Sequence, residues 1–116
     1  MQLEVNKHLE DMRRATVAIL DFTRDRSFDD YASNAMLRSA VERQFEVIGE
    51  ALHRLSRCAP DVAERIQHHK RIIAFRNILI HAYDVIDDRV VWDVVQQNLP
   101  ALHEQVARML ATDEPE

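Results

Sequence analysis

A single glycine, Gly49, and three prolines serve the whole of this 116-residue chain. Tight turns and left-handed backbone draw on glycine, and the bends between short strands draw on both residues. A chain so poor in them has little material for hairpins or long loops. Together with abundant Ala, Leu, Arg, Glu and Gln, that scarcity points to an all-α fold. Apolar residues make up 47% of the chain, enough for one modest core and unlike a disordered composition. Cys58 is the only cysteine, which excludes an internal disulfide and fits a reducing compartment. No apolar run approaches the roughly 20 residues of a membrane span. The opening stretch MQLEVNKHLEDMRR lacks the apolar centre of a signal peptide. These features lead us to expect a cytoplasmic protein that does not engage the membrane.

Apolar residues recur every three or four positions along most of the chain, the mark of amphipathic helices. Val5, Leu9, Met12, Ile19 and Phe22 predict a first helix from about Leu3 to Arg24. The polar stretch RDRSFDDYASN follows, with Ser27 and Ser33 as candidate caps. Leu37, Val41, Phe45, Ile48, Leu52 and Leu55 predict a second long helix over Ala35 to Arg57. Pro60 ends it and opens a short helix in PDVAERIQ. KRIIAFRNILIH predicts a third substantial helix, and Asp87 is a suitable N-cap for the last one. That last helix carries Val91, Val95, Leu99, Leu102, Val106 and Leu110, with a kink expected at Pro100. Residues 1–110 should form one four- to five-helix, up-and-down bundle, and 111–116 an acidic tail.

Gly49 lies inside the second helix, where glycine costs about 1 kcal/mol relative to alanine. The compensation expected is close approach of another backbone, either the third helix or a second subunit. Its neighbour Glu50 is either a surface acid or the anchor of a nearby polar group.

The third helix contains RNILIHAY, Arg76 to Tyr83, in which four polar or charged side chains interrupt a core pattern. Between Arg65 and Tyr83 stand Arg65, Lys70, Arg71, Arg76, His68, His69 and His81, without one acid. The net charge of −5 excludes a general nucleic-acid coat protein but leaves this local basic window. Asn77 and His81 are four apart and share a helix face; Arg76 and His81 diverge by roughly 140°. The latter two can converge on one ligand where the helix ends near His81, or where a second subunit closes the site. Arginine grips phosphate through its planar fork, and histidine gives or takes a proton near neutral pH. The pair suits RNA cleavage by the 2′-hydroxyl: a base removes the 2′ proton, a cation stabilises the phosphorane, an acid protonates the leaving 5′ oxygen. One His81 cannot be base and acid at once, but a symmetric dimer brings two copies to one groove. A binding module in which Arg76 and His81 only hold a phosphate uses the same residues.

RNILIHAY is an R-x4-H-x-Y motif and resembles that of the HepT-type toxins of the HEPN ribonuclease superfamily. SFDDYASNAMLRSAVERQFEVIGEAL resembles the family's second-helix region, including the Gly49-Glu50-Ala51 step. CAPDVAERI stands where the family has a proline-led short helix, and VVWDVVQQNLPAL resembles its last helix. The resemblance runs from about Asp30 to Leu102. Two departures are IIAFRN, without the glycine and methionine that many relatives carry before Arg-Asn, and the lack of a tryptophan after Pro60. The resemblance implies a HEPN-type bundle that dimerises or assembles further, with a metal-independent endoribonuclease site that needs no cofactor. Arg76 and His81 would be its catalytic pair, with Asn77 orienting His81 or the phosphate; RNA affinity would lean on the basic window, with Lys70 and Arg71 as its RNA-binding residues. It also implies a toxin–antitoxin pair of type VII kind, whose MntA-like nucleotidyltransferase antitoxin transfers AMP to Tyr83. The alternative the resemblance leaves is a non-catalytic nucleotide- or partner-binding module associated with a nucleotidyltransferase.

Overall fold

In a computed structural model of the protein, the backbone is described for residues 3–112, and the side chains of Tyr83 and Thr112 lie outside the description. Among the described residues there are seven α-helices and no strand. They are α1 (Leu3–Thr23), α2 (Phe28–Ala32), α3 (Ala35–Cys58), α4 (Pro60–Glu64), α5 (His69–His81), α6 (Asp88–Gln97) and α7 (Leu99–Thr112). A single 3-10 turn, Tyr83–Val85, follows α5. The chain is the all-α bundle that the composition and periodicity predict.

The two long helices make the most extensive pairing, followed by α3 with α5 and α1 with α7. Glu4 and His8, near the start of α1, face Cys58 at the end of α3, so the pair runs antiparallel. Leu9, Met12 and Ile19 of α1 are fully buried, as are Val41, Ile48, Leu52 and Leu55 of α3. Each such side chain contributes about 1.5–3 kcal/mol relative to leaving it in water. The apolar stripes read along the sequence are therefore the faces that meet.

Polar termini are satisfied locally. Ser27 caps α2 through a capping box with Asp30, and Asn34 caps α3 by accepting from the Leu37 N–H at 3.0 Å. Asp87 caps α6, accepting from the N–H groups of Arg89 and Val90. Ser33, expected as a cap within the polar stretch, closes α2 rather than opening α3. The stretch itself holds a helix where its composition predicts a turn, pinned by Tyr31 against Trp92 with ring centroids 5.4 Å apart and by Arg89 over the Phe28 ring.

The last helix differs from expectation. Pro100 does not kink one helix; the chain breaks at Asn98 into α6 and α7. Proline lacks the N–H an interior position must donate, but at the second position of a helix that donor has no partner in any case. Placing Pro100 just inside a new start removes the conflict. The helix α7 runs to Thr112, and the rest of the expected tail, 113–116, lies outside the described residues.

Glycine scarcity shows in the turns. Asp25, after α1, and His68, before α5, both take the left-handed backbone with φ near 60°. That conformation costs a non-glycine residue about 1–2 kcal/mol. The loop at His68 is held by Gln105 of α7, whose amide accepts from the Gln67 N–H (3.1 Å) and donates to the Arg65 carbonyl (2.6 Å). This clamp fixes where α5 begins, and so which way its polar residues face.

Candidate functional site

The helix α5 crosses α3 at Gly49. A Cβ built on Gly49 would overlap Arg76 Cβ, lie 2.7 Å from Arg76 Cγ and 3.4 Å from the Ile72 carbonyl oxygen. The only glycine of the chain is thus the seat of Arg76. Of the two close approaches the sequence allowed at this position, the intramolecular one is present. One turn earlier, Phe45 and Phe75 meet edge to face at 5.2 Å and set the spacing of the two helices.

Seated on Gly49, the Arg76 side chain is only 22% exposed and is gripped at its tip. One terminal nitrogen donates to Glu50, and the other donates to Asn77 Oδ1 at 2.8 Å. Its Nε is buried and has no partner among the described residues. Glu50 is shared: its second oxygen accepts from Arg54 Nε at 2.9 Å. The Arg54 hydrogen bond, and after it the charges of Arg76 and Arg54, hold the Glu50 carboxyl below the usual carboxylate range. Glu50 is therefore an anchor, the second of the roles the sequence left open. Glu50 is itself 36% exposed, so solvent screens the pair to about 1 kcal/mol or less, and the main effect of Glu50 is to fix where Arg76 points.

These residues line a polar cavity of about 300 Å³ between α1, α3 and α5, with His8, Asp11 and Arg43 on its other walls. Arg54 and His8 were not singled out in the sequence. The i, i+4 spacing of Glu50 and Arg54 was the available signal for the first. Nothing in the pattern marked His8, which reads as one more position of the buried stripe of α1.

His81 is the last residue of α5 and is exposed. The helix closes there: Ala82 donates to the Ile78 carbonyl and Val85 to the Ala82 carbonyl. Among the described residues no hydrogen bond joins His81 to Arg76 or Asn77, and Asn77 pairs with Arg76. Lys70 and Arg71 are exposed on the first turn of α5. Arg71 also borders a second, larger cavity of about 480 Å³, lined by Phe45, Phe75, Leu99 and Leu102. The Tyr83 backbone lies in the 3-10 turn directly after α5, and its side chain is outside the description. Near His81, Ile78 (47%), Ile80 (38%) and Val85 (69%) stand exposed, an apolar collar at this end of α5.

A cation held rigidly on one face and a free imidazole at the helix end can act on a phosphodiester only if the ligand, or a second chain, spans them. Known proteins bear on which chemistry this is. The model of a family described as ribonuclease HepT-like matches residues 12–109. A protein of Methanocaldococcus jannaschii provisionally named an RNase is 31% identical over 105 residues, 89% of this chain and 94% of that protein. One of Thermococcus cleftensis, provisionally named ribonuclease HepT, is 35% identical over 98 residues, 82% of this chain and 86% of that one. A bacterial protein of Caldanaerobacter subterraneus, also provisionally named an RNase, is 27% identical over 103 residues, 89% and 91% of the two chains. No solved structure matches significantly.

Proposed function

We propose that this chain, which belongs to the family of HepT-like ribonucleases, is a toxin that cuts RNA without a metal ion, through a composite site in a homodimer groove. The observation that carries this reading is the seating of Arg76. A glycine and a carboxylate are both committed to holding one guanidinium at a fixed place, one and a half turns from a free histidine at a helix end. Two apposed copies supply two such arginines and two such histidines. The exposed collar of Ile78, Ile80 and Val85 supports apposition at this end of α5, since a second copy would remove it from water.

In this reading one His81 takes the 2′ proton while the 2′ oxygen attacks phosphorus. Arg76 stabilises the charge gathering on the non-bridging oxygens. The partner's His81 protonates the 5′ oxygen as the phosphorus–oxygen bond breaks, leaving a 2′,3′-cyclic phosphate and a 5′-hydroxyl. Asn77, bonded to Arg76, steadies the guanidinium, and Lys70 and Arg71 draw in the RNA backbone. Control would come from an MntA-like nucleotidyltransferase: the Tyr83 hydroxyl attacks the α-phosphorus of ATP, pyrophosphate leaves, and AMP stays on the tyrosine. An anionic nucleotide two residues from His81 would fill the groove and repel RNA phosphate. Among the described residues no helix is long and apolar enough to cross a membrane, and the setting proposed for this activity is the cytoplasm.

The test is expression in a bacterial host beside His81→Ala and Tyr83→Phe. The parent should arrest growth and fragment cellular RNA, and His81→Ala should do neither. Tyr83→Phe should stay toxic in the presence of the antitoxin. Equal inertness of parent and His81→Ala, with both folded, would replace the nuclease with a nucleotide- or partner-binding module.

A further inference from the structure

Among the described residues, one cluster outside the Arg76 site combines three kinds of metal ligand. Glu4 and His8 stand one turn apart on α1, and Cys58 ends α3 opposite them. A carboxylate oxygen, an imidazole nitrogen and the thiol sulfur all lie within 4.8 Å of one another. Residues at i and i+4 share a helix face, and the antiparallel pairing of α1 and α3 delivers the third ligand from a separate element.

The histidine is what separates this cluster from an ordinary polar seam. Its side chain is only 8% exposed, and Nε2 sits 4.0 Å from the Glu4 carboxylate, beyond hydrogen-bond reach. No hydrogen bond to the ring occurs among the described residues. A buried imidazole normally has a partner. Here the groups beside it are the Glu4 carboxylate, its ion-pair neighbour one turn back, and the Cys58 thiol, both on exposed residues that can turn toward it.

We infer that Glu4, His8 and Cys58 form a zinc site that clips the first turn of α1 to the last turn of α3. Thiolate, imidazole and carboxylate together suit Zn²⁺ among the common divalent ions, at bond lengths of about 2.0–2.3 Å. Tetrahedral geometry at those lengths sets neighbouring donors about 3.5 Å apart. The trio therefore needs to close by roughly 1 Å, within the rotamer freedom of Glu4 and Cys58. Water would complete the fourth position. Binding releases the thiol proton as the thiolate forms, so affinity should rise with pH.

Cys58 lies about 14 Å along α3 from Gly49, nine residues at the helical rise, so the ion takes no part in the proposed cleavage. It acts on the fold instead. His8 also lines the cavity that holds Arg76 and Glu50, so fixing His8 stiffens the far wall of that cavity. Oxidation of Cys58 would release the ion and slacken the α1–α3 end of the bundle.

The test uses the full chain, reduced with a phosphine and titrated with Co²⁺ and then Zn²⁺. One Co²⁺ per chain should give the visible bands of four-coordinate cobalt and a thiolate-to-cobalt charge-transfer band, both bleached by zinc. Cys58→Ser should lose the charge-transfer band. Glu4→Gln should bind at least about tenfold more weakly, the loss that even outer-shell changes bring. Both positions are exposed, so these variants should keep the fold. Zinc should raise the melting temperature of the parent and not of Cys58→Ser. A parent without the charge-transfer band, or equal affinity in Cys58→Ser, would overturn the site and assign any binding to other histidines. Growth arrest by the parent is unaffected by that outcome, so this inference and the nuclease reading fail separately.

Discussion

Gly49→Ala tests the seating of Arg76 with one methyl group. The added Cβ would overlap Arg76 Cβ and lie 2.7 Å from Cγ, where ordinary carbon contacts are about 3.5–4.0 Å. The obstructed atoms are the base of the arginine, not its flexible tip, so α5 itself must retreat by about 1 Å. Overpacking of this kind costs about 1–3 kcal/mol. Replacing a mid-helix glycine with alanine returns about 1 kcal/mol through helix propensity. The net loss should therefore be about 0–2 kcal/mol, which leaves a marginally stable domain folded. If Arg76 has the role proposed above, activity should suffer far more, because a 1 Å misplacement of a catalytic group costs on the order of 100-fold. The measurements are a urea denaturation midpoint and single-turnover cleavage of RNA, made on the same preparation. A variant that is more stable by the full propensity gain and cleaves within about twofold of the parent would refute the reasoning, since α5 would then not rest on Gly49.

Three further outcomes follow from named contacts. Glu50 has a depressed pKa, so the stability it adds is present above the ordinary carboxylate range and is lost as pH falls through its lowered value. The parent should exceed Glu50→Gln at neutral pH in urea midpoint, and the difference should shrink in acid; a difference constant with pH would remove the charge from the explanation. Glu42 is the reverse case: burial first, then the nearby Asp88, raises its carboxyl pKa, so its ionisation works against the fold. Glu42→Gln should gain stability over the parent as pH rises through that value, and a loss at neutral pH would show that the carboxylate has a partner that matters. Lys70→Ala combined with Arg71→Ala should lower the salt slope of RNA binding by about 1.4, two phosphate contacts on a single strand. An unchanged slope would take the first turn of α5 out of the RNA path.

The helices were legible where periodicity ran long. The stripes Val5–Leu9–Met12–Ile19 and Val41–Phe45–Ile48–Leu52–Leu55 name the buried faces of α1 and α3 because burial itself imposes the period. The helix α2 was not legible, since five residues are too few for a period and Tyr31 finds its reason in Trp92, some sixty positions on. The break at Pro100 escaped for a related reason. A proline within an apolar period rules out a straight unbroken helix, and only tertiary packing decides whether the chain bends there or restarts.

At the candidate site, local geometry marked Gly49 as a place of close approach and Arg76, Asn77 and His81 as unusual on a core helix. It could not say that Arg76 is what rests on Gly49, or that Glu50 is what holds its tip. One-dimensional spacing gives the face a residue occupies, while partners 26 positions apart are chosen by how α3 and α5 cross. The same limit hid the neighbourhood of His8, which depends on α1 and α3 running antiparallel.

The ends of the RNA fragments test the central claim most directly. Purified parent and His81→Ala should be incubated with a single RNA and the cut ends identified by mass. The account predicts 2′,3′-cyclic phosphate and 5′-hydroxyl ends from the parent and no cut from the variant. Ends bearing a 3′-hydroxyl and a 5′-phosphate, or equal cutting by His81→Ala, would contradict it.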